Sequence, residues 1–328
     1  MIKYKCKSLF HFISSTLLLN NINEEWRKMK MNVKNSSQNT VKKYEELTFT
    51  DDFMFCKVMQ NNPDLCKHLI ELIIGKKITM ITYPDTQKAI EITADGKGIR
   101  MDVYVEGDEG TIYDIEMQTS MLSNLNKRAR YYQGMIDLNT IERGADYKEL
   151  RKTYIIFLCK FDPFGQARIK YTFMQTCQED YQIKLGDDAY IIYINPFGMK
   201  ENPTEDMIAL MSYLRGEMIK RNSFIEDLDA AVKRAREKED WKVEYMALSL
   251  KFQDAMEEGR AEGRAEMQQN IVIKLLSANQ FSDKAICSIV DISEEKLEEY
   301  KKCIWNKMKR NSIHDVARRF LRAFVIFL

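Results

Sequence analysis

Two acidic residues on neighbouring predicted strands, Asp102 and Glu116, are the side chains of this sequence best placed to do chemistry. Alternation along the second strand puts Asp114, Glu116 and Gln118 on one face. If the strand register fits, Asp102 points into the same pocket from the preceding strand. Carboxylates that repel one another need a cation between them, and oxygen ligands with open water positions suit Mg²⁺ or Mn²⁺. The spacing therefore favours a divalent-metal site.

The segment between the two strands, residues 105–111, contains Gly107 and Gly110 and predicts a tight antiparallel connection. On the second strand, Tyr113, Ile115 and Met117 take the face opposite to the acids. A strand pair of this kind can also carry two exposed carboxylates on a solvent-facing surface. From the residues alone, the metal site and the exposed polar face are both open.

The patterns around this strand pair predict a mixed α/β domain. Each element is marked either by helical periodicity, by strand-like alternation or by a continuous apolar run, the last being typical of strands buried on both faces. The predicted elements are helices over residues 41–74 with a break at 61–64 and a C-cap at Gly75, a strand over 78–93, a turn at 95–98, the strand pair, a helix over 122–143, and strands over 153–159 and 190–195.

Beyond Pro203 the pattern is wholly helical, which marks a change of composition. Residues 258–266 repeat Glu-Gly-Arg-Ala with a period of four, as a hinge or a solvated connecting helix would. Three short helices follow over residues 271–278, 283–290 and 294–303, with docking or dimerisation favoured over DNA base reading. The expected divisions are a disordered or over-extended N-terminus (1–40), the mixed α/β domain (41–200), a helical linker (201–270), a small helix-turn-helix-like region (271–303) and a basic and apolar tail (304–328).

Composition gives limited information about partners and compartment. The chain has 50 basic and 49 acidic residues, so any nucleic-acid contact must come from a local patch. Its seven cysteines are scattered and form no CxxC pair, which argues against a zinc site or a disulfide framework and favours the cytoplasm. The apolar run over residues 9–19 is too short to span a bilayer, so no membrane is expected, with secretion or anchoring through the apolar ends as alternatives.

Four motifs in a fixed order give the sequence a resemblance to a known family. They are residues 47–55 (LTFTDDFMF), 100–103 (RMDV), 115–118 (IEMQ) and 128–132 (RARYY). Together they resemble the PD-(D/E)XK nuclease superfamily, in its branch of transposase-like Rpn recombination-promoting nucleases. The similarity runs from about residue 45 to residue 300. It implies an α/β fold class, with a restriction-endonuclease-like core of a mixed sheet flanked by helices, followed by an all-α C-terminal region.

The resemblance also assigns roles to the site residues. Asp102 corresponds to the metal-binding aspartate and Glu116 to the second acidic ligand, with the Met117 backbone carbonyl as a third ligand. Gln118 stands where the superfamily usually has lysine. An amide there can orient water or phosphate but supplies no charge. The implied activity is Mg²⁺-dependent cleavage of DNA, with Mn²⁺ as the alternative ion.

Three further acids are accessory candidates, and each also has a structural reading. Glu71 matches the outer acid of many superfamily members, or it is a solvated helix-face glutamate. Asp52 matches a family position, or it starts a helix. Asp114 flanks the metal, or it pairs with a neighbouring Lys or Arg.

The helix after the metal strand offers candidate DNA contacts. Lys127, Arg128 and Arg130 could meet the phosphate backbone. Tyr131 and its neighbour Tyr132 could stack near the site or be structural tyrosines. His68 lies between Leu65 and Leu69 and is predicted to be packed rather than catalytic.

These observations predict a metal-dependent DNA endonuclease that is dimeric through its helical C-terminal region and is linked to recombination, mobile elements or phage defence. The alternative is a catalytically inactive nuclease-fold module that binds DNA or a protein partner.

Overall fold

The structure is a computed structural model that describes residues 41–83, 101–121, 124–217, 222–278 and 280–303. It divides into two compact units, one over residues 42–247 and one that contains the described residues from 248 onward. The expectations for residues 1–40, for the turn at 95–98 and for the tail at 304–328 lie outside the described residues. The same holds for residues 84–93 of the predicted strand over 78–93.

The first unit is built on a five-stranded mixed sheet in the order β1-β2-β3-β5-β4. The strands are β1 (Val103–Glu106), β2 (Ile112–Gln118), β3 (Thr153–Cys159), β4 (Lys170–Phe173) and β5 (Ala189–Ile194). The pairs β2–β3 and β3–β5 are parallel, whereas β1 and β4 pair antiparallel to their neighbours. The predicted fold class, a mixed sheet with flanking helices and a helical C-terminal region, is confirmed.

Helices cover both faces of this sheet. They are α1 (Asp52–Asn61), α2 (Pro63–Ile74), α3 (Leu125–Thr140), α4 (Glu205–Leu214) and α5 (Ser223–Arg236). The helix α2 begins with Pro63 at its first turn and ends at Gly75, whose φ of 74° gives the left-handed conformation expected of a C-cap. Thr204 caps α4 and Asn222 caps α5, each by accepting a backbone hydrogen bond through its side chain.

The two faces of the sheet pack against different helices. On one face, alternate residues of the strands join α1, α2, α4 and α5 in the larger apolar core. On the other face, a smaller core forms between α3 and residues such as Ile155, Phe157 and Tyr193. Since Ile112 lies in this smaller core, alternation places Asp114, Glu116 and Gln118 on the α3 face as well.

Several sequence expectations need correction. Of the predicted strand over 78–93, the described part forms one isolated bridge between Thr82 and Glu106. The strand β4 was missed because it is a four-residue edge strand in which only Tyr171 is buried. The domain boundary expected near residue 200 falls earlier than the end of the compact unit, because Met207, Leu210 and Leu228 of α4 and α5 belong to its core.

The second unit contains a small helical cluster. The helix α6 (Glu239–Ala278) begins in the first unit and continues into the second, so residues 271–278 are its end and not a separate helix. The helix α7 (Asp283–Val290) and helical residues 294–303 follow, as predicted. Apolar side chains from all three segments form one core: Ile271, Val272, Leu275, Ile286, Val290, Leu297 and Tyr300.

Candidate active site

The antiparallel register of β1 and β2 brings Asp102 and Glu116 together. Val103 is paired with Ile115, so Asp102, one residue before β1, lies opposite Glu116. The Asp102 backbone N–H donates to Glu116 Oε1 at 3.1 Å, and the Met117 N–H donates to Asp102 Oδ2 at 3.1 Å. Each carboxylate thus accepts a hydrogen bond from the backbone of the other strand, and the register brings the two acids side by side.

Glu116 is an acid held away from water. Its residue is 3% exposed, and burial, followed by the charge of Asp102, raises the pKa of its carboxyl to about 8. The Asp102 N–H bond and the charge of Arg128 act in the opposite direction but do not offset the burial. A second positive charge beside this carboxylate would therefore stabilise its ionised form.

Asp114 lies two residues before Glu116 on the same face of β2 and is fully buried. Neither of its carboxylate oxygens has a hydrogen-bond partner. Burial, and then the charges of Glu116 and Asp102, raise its pKa well above the ordinary range of an aspartate. The predicted pairing of Asp114 with a nearby Lys or Arg is not seen as a hydrogen bond, and only the charge of Arg128 acts on it favourably.

Gln118, at the end of β2, and Arg128, on α3, lie beside Glu116 and contact each other. Gln118 donates through Nε2 to the Ser120 carbonyl at 2.6 Å and accepts through Oε1 from Arg128 Nη2 at 2.7 Å. Arg128 Nη2 also lies 3.4 Å from Glu116 Oε2. The guanidinium lies over the rings of Tyr132 and Phe157, at 5.6 and 5.4 Å from their centroids.

The start of α1 approaches the same pocket. The charge of Asp52 raises the pKa of Glu116, and Arg128 in turn lowers the pKa of Asp52, which burial and Asp51 raise overall. Next to it, Thr50 Oγ1 accepts from Lys160 Nζ at 3.3 Å. Asp52 is thus electrostatically coupled to Glu116 and Arg128.

Lys160 lies next to Gln118 and was not among the residues predicted from the sequence. It directly follows β3, and its backbone N–H donates to the Gln118 carbonyl at 2.9 Å. Parallel strands present their carboxyl ends at one edge of the sheet, so the first polar residue after the buried run of β3 was the available signal.

Other candidates lie elsewhere. Glu71 accepts from the Ile78 N–H and from Lys77 Nζ, both at 2.8 Å, and so closes the turn after α2. Lys127, Arg130 and Tyr131 lie on exposed positions of α3.

Two aromatic positions have structural surroundings. Tyr132 is buried beneath Arg128, with its pKa raised mainly by burial. His68 is stacked on Phe224 at 4.3 Å between ring centroids, which agrees with its predicted packing role.

Comparison with protein families identifies the domain. A family model described as PD-(D/E)XK nuclease family transposase matches residues 49–270, more than half of the chain. The chain belongs to that family. No curated protein and no solved structure gives a significant match. The match spans every residue of the site described above, and membership of the PD-(D/E)XK family supports a nuclease-type function for the protein.

PD-(D/E)XK nucleases typically use a divalent metal ion. Across the described ranges, no three His, Cys, Asp or Glu side chains are arranged to hold a metal ion. The predicted set of metal ligands needs only two side chains, those of Asp102 and Glu116, because its third ligand is the Met117 backbone carbonyl. A buried acid with a raised pKa and a neighbouring carboxylate without hydrogen bonds are the surroundings that a cation would stabilise.

None of the helices in the described part of the chain combines the length and the apolar character that crossing a bilayer needs.

Proposed function

We propose that this PD-(D/E)XK protein is a DNA endonuclease that depends on Mg²⁺ or Mn²⁺. The observation that supports this most strongly is the pairing of the half-buried Asp102 with the buried Glu116, with the carboxylate of Asp114, which has no hydrogen bond, on the same face of β2. Asp102, Glu116 and the Met117 carbonyl would hold the ion. When bound, a divalent ion supplies a nucleophilic water at neutral pH and neutralises charge on the scissile phosphate.

The protein's own residues position the substrate. Gln118 has its amide fixed at both ends and orients groups in the pocket rather than carrying charge. Lys127, Arg130 and Tyr131 lie exposed on α3, the helix that also carries Arg128, and contact the DNA backbone. Asp52 acts on the site through its charge. Glu71 has no catalytic role in this proposal, because its carboxylate closes the turn at Ile78.

The protein acts as a homodimer through its helical C-terminal region. Apolar side chains of α6, including Met246, Leu250 and Phe252, are more than half exposed in the structure. Burial of such side chains against a second copy is favourable. The cellular role is cytoplasmic and linked to recombination, mobile elements or phage defence, as the resemblance to the Rpn branch implies.

The test is nicking of supercoiled plasmid by purified protein with Mg²⁺, compared with Asp102→Asn and Glu116→Gln. Each substitution removes a charge and keeps the shape, and we expect each to lower the cleavage rate by about 100-fold or more. Glu142→Gln is the matched control, because Glu142 is an exposed carboxylate just after α3 with no contact to the pocket. Equal nicking by all four proteins would contradict the site assignment.

A second function, an inactive nuclease-fold module, is favoured by the absence of a third acid in metal-holding geometry among the described residues. It predicts no nicking with either ion, together with DNA binding that weakens as salt rises. Gel-shift titration at two salt concentrations separates this outcome from a protein that neither cleaves nor binds DNA.

A further inference from the structure

Arg128 differs from the other basic residues of α3 in being tied into the acidic pocket. Its side chain is 27% exposed, and its Nη2 atom reaches both Gln118 Oε1 at 2.7 Å and Glu116 Oε2 at 3.4 Å. The guanidinium carbon lies over the rings of Tyr132 and Phe157. Its direction is thus fixed by two aromatic rings and an amide, which is more than a surface phosphate contact requires.

We propose that Arg128 is the fixed positive charge of the reaction, held by Gln118 so that its remaining N–H groups stabilise the scissile phosphate during cleavage. This inference rests on the proposed nuclease function. In hydrolysis a water oxygen forms a bond to phosphorus and gives up a proton to solvent, the bond to the leaving sugar oxygen breaks and that oxygen takes up a proton from solvent, and negative charge spreads over the other phosphate oxygens. Arg128 donates hydrogen bonds to that charge and keeps its own protons throughout.

Gln118 has a specific part in this arrangement. A neutral amide can accept from Arg128 without repelling a cation held by the neighbouring Glu116. The bond from Arg128 to Gln118 is the shorter of its two contacts, so the amide retains the guanidinium when Glu116 turns to another partner. A lysine at position 118 would instead lie beside Arg128 and repel it.

Lys127 and Arg130 provide the contrast within the same helix. Successive helical residues point about 100° apart, so Lys127 and Arg130 lie on other sides of the helix from Arg128. Both are exposed. They are therefore expected to raise DNA affinity without changing the rate of the bound complex, whereas Arg128 acts mainly on that rate.

The experiment compares wild type, Arg128→Gln, Gln118→Lys and the double variant. Single-turnover cleavage of a DNA duplex with Mg²⁺ gives the rate, and gel-shift titration of the same duplex in EDTA gives the affinity. We expect Arg128→Gln to lower the rate by about 100-fold while the DNA dissociation constant changes far less. Gln118→Lys alone also lowers the rate, because two cations then compete for one place. The double variant should recover at least about tenfold over Arg128→Gln, since the lysine restores the charge without the repulsion.

Two further variants guard the interpretation. Glu142→Gln, at an exposed carboxylate just after α3, is the control and should leave both the DNA dissociation constant and the single-turnover rate unchanged. Arg128→Lys keeps the charge but loses the planar fork of donors. It replaces Arg128→Gln in the comparison if circular dichroism shows that Arg128→Gln is unfolded. Its rate should lie between those of wild type and Arg128→Gln.

The outcomes separate this inference from the proposed function. If wild type cleaves and the double variant is no faster than Arg128→Gln, the inference is wrong and the nuclease function stands. If Arg128→Gln loses affinity but not rate, Arg128 is only a phosphate anchor and the inference is again wrong. If wild type neither cleaves nor binds Mg²⁺ by calorimetry, both proposals fail together.

Discussion

The two faces of strand β2 differ in almost every physical respect although they are built from alternate residues of the same seven. On one face, Tyr113, Ile115 and Met117 belong to the large apolar core. On the other, Asp114, Glu116 and Gln118 are equally buried but carry charge or an amide. Burial of the first face stabilises the fold. Burial of the second face destabilises the fold unless each polar atom has a hydrogen-bond partner.

The polar face of β2 lowers the stability of the fold, because its side chains are incompletely hydrogen-bonded. Gln118 is satisfied at both ends of its amide, Glu116 has one backbone donor and a longer contact to Arg128, and Asp114 has no hydrogen bond. The number of hydrogen bonds made by each side chain therefore falls along the strand from Gln118 back to Asp114. A structural role gives no reason for this gradient, whereas a cation bound at the pocket would offset it.

The largest effect on stability is expected on the apolar face. Ile115→Ala should lower the free energy of unfolding by about 2–5 kcal/mol, because it removes buried methyl groups and leaves a cavity in a close-packed core. Urea denaturation followed by circular dichroism measures the change. Leu138→Ala is the control, since Leu138 is 65% exposed on α3. Similar losses at both positions would show that this face does not support the sheet as described.

A change of opposite sign is expected one residue earlier. Asp114→Leu should raise the free energy of unfolding by about 1–3 kcal/mol, since it removes a buried polar group that has no partner. The same variant should cleave DNA more slowly, because an acid beside Glu116 is lost.

Asp114→Asn is the matched variant for this prediction. It removes the charge but keeps a polar group without a partner, so its gain in stability should be smaller. If Asp114→Leu is less stable than wild type in metal-free buffer, the carboxylate has a stabilising partner and the contrast between the faces is weaker than described.

The parts of the fold that sequence patterns predicted are those in which one physical term dominates. The strand β3 is buried on both faces and β5 is buried over its second half, so their continuous apolar runs predicted both strands almost to the residue. In contrast, β4 is held by pairing to β5 and buries only Tyr171, which leaves no pattern to detect. The helix α6 continues through Gly259 and Gly263, since two weak positions, at about 1 kcal/mol each, are outweighed over its length.

The site was predictable to the extent that it depends on alternation within one hairpin. Period-two spacing was enough to place Asp102, Glu116 and Gln118 in one pocket, because the hairpin fixes their register. The contact between Lys160 and Thr50 joins residues 110 positions apart and leaves no local signal. Arg128 was predicted as one of several basic residues of α3, and only side-chain geometry distinguishes it from Lys127 and Arg130.

The smallest expected effect concerns pH and sharpens the comparison at a single carboxyl. Glu116 has a pKa of about 8 in the folded protein against an ordinary value of 4.5. Below pH 4.5 both states bind the proton. Between the two values the unfolded chain releases it while the folded protein keeps it, so stability that is present at low pH is lost as the pH rises toward about 8.

Urea midpoints measured in EDTA from pH 4.5 to pH 8.5 test this sign, with Glu116→Gln as the reference, because its amide cannot titrate. The difference in midpoint between wild type and Glu116→Gln should shift steadily against wild type as the pH rises, and then level off. Adding Mg²⁺ should reduce the shift, because a cation stabilises the ionised form that burial disfavours. A difference that does not change with pH would mean that Glu116 is ionised in the free protein. The polar face of β2 would then be compensated by its own neighbours, and the pocket would lose its main physical reason to bind a metal ion.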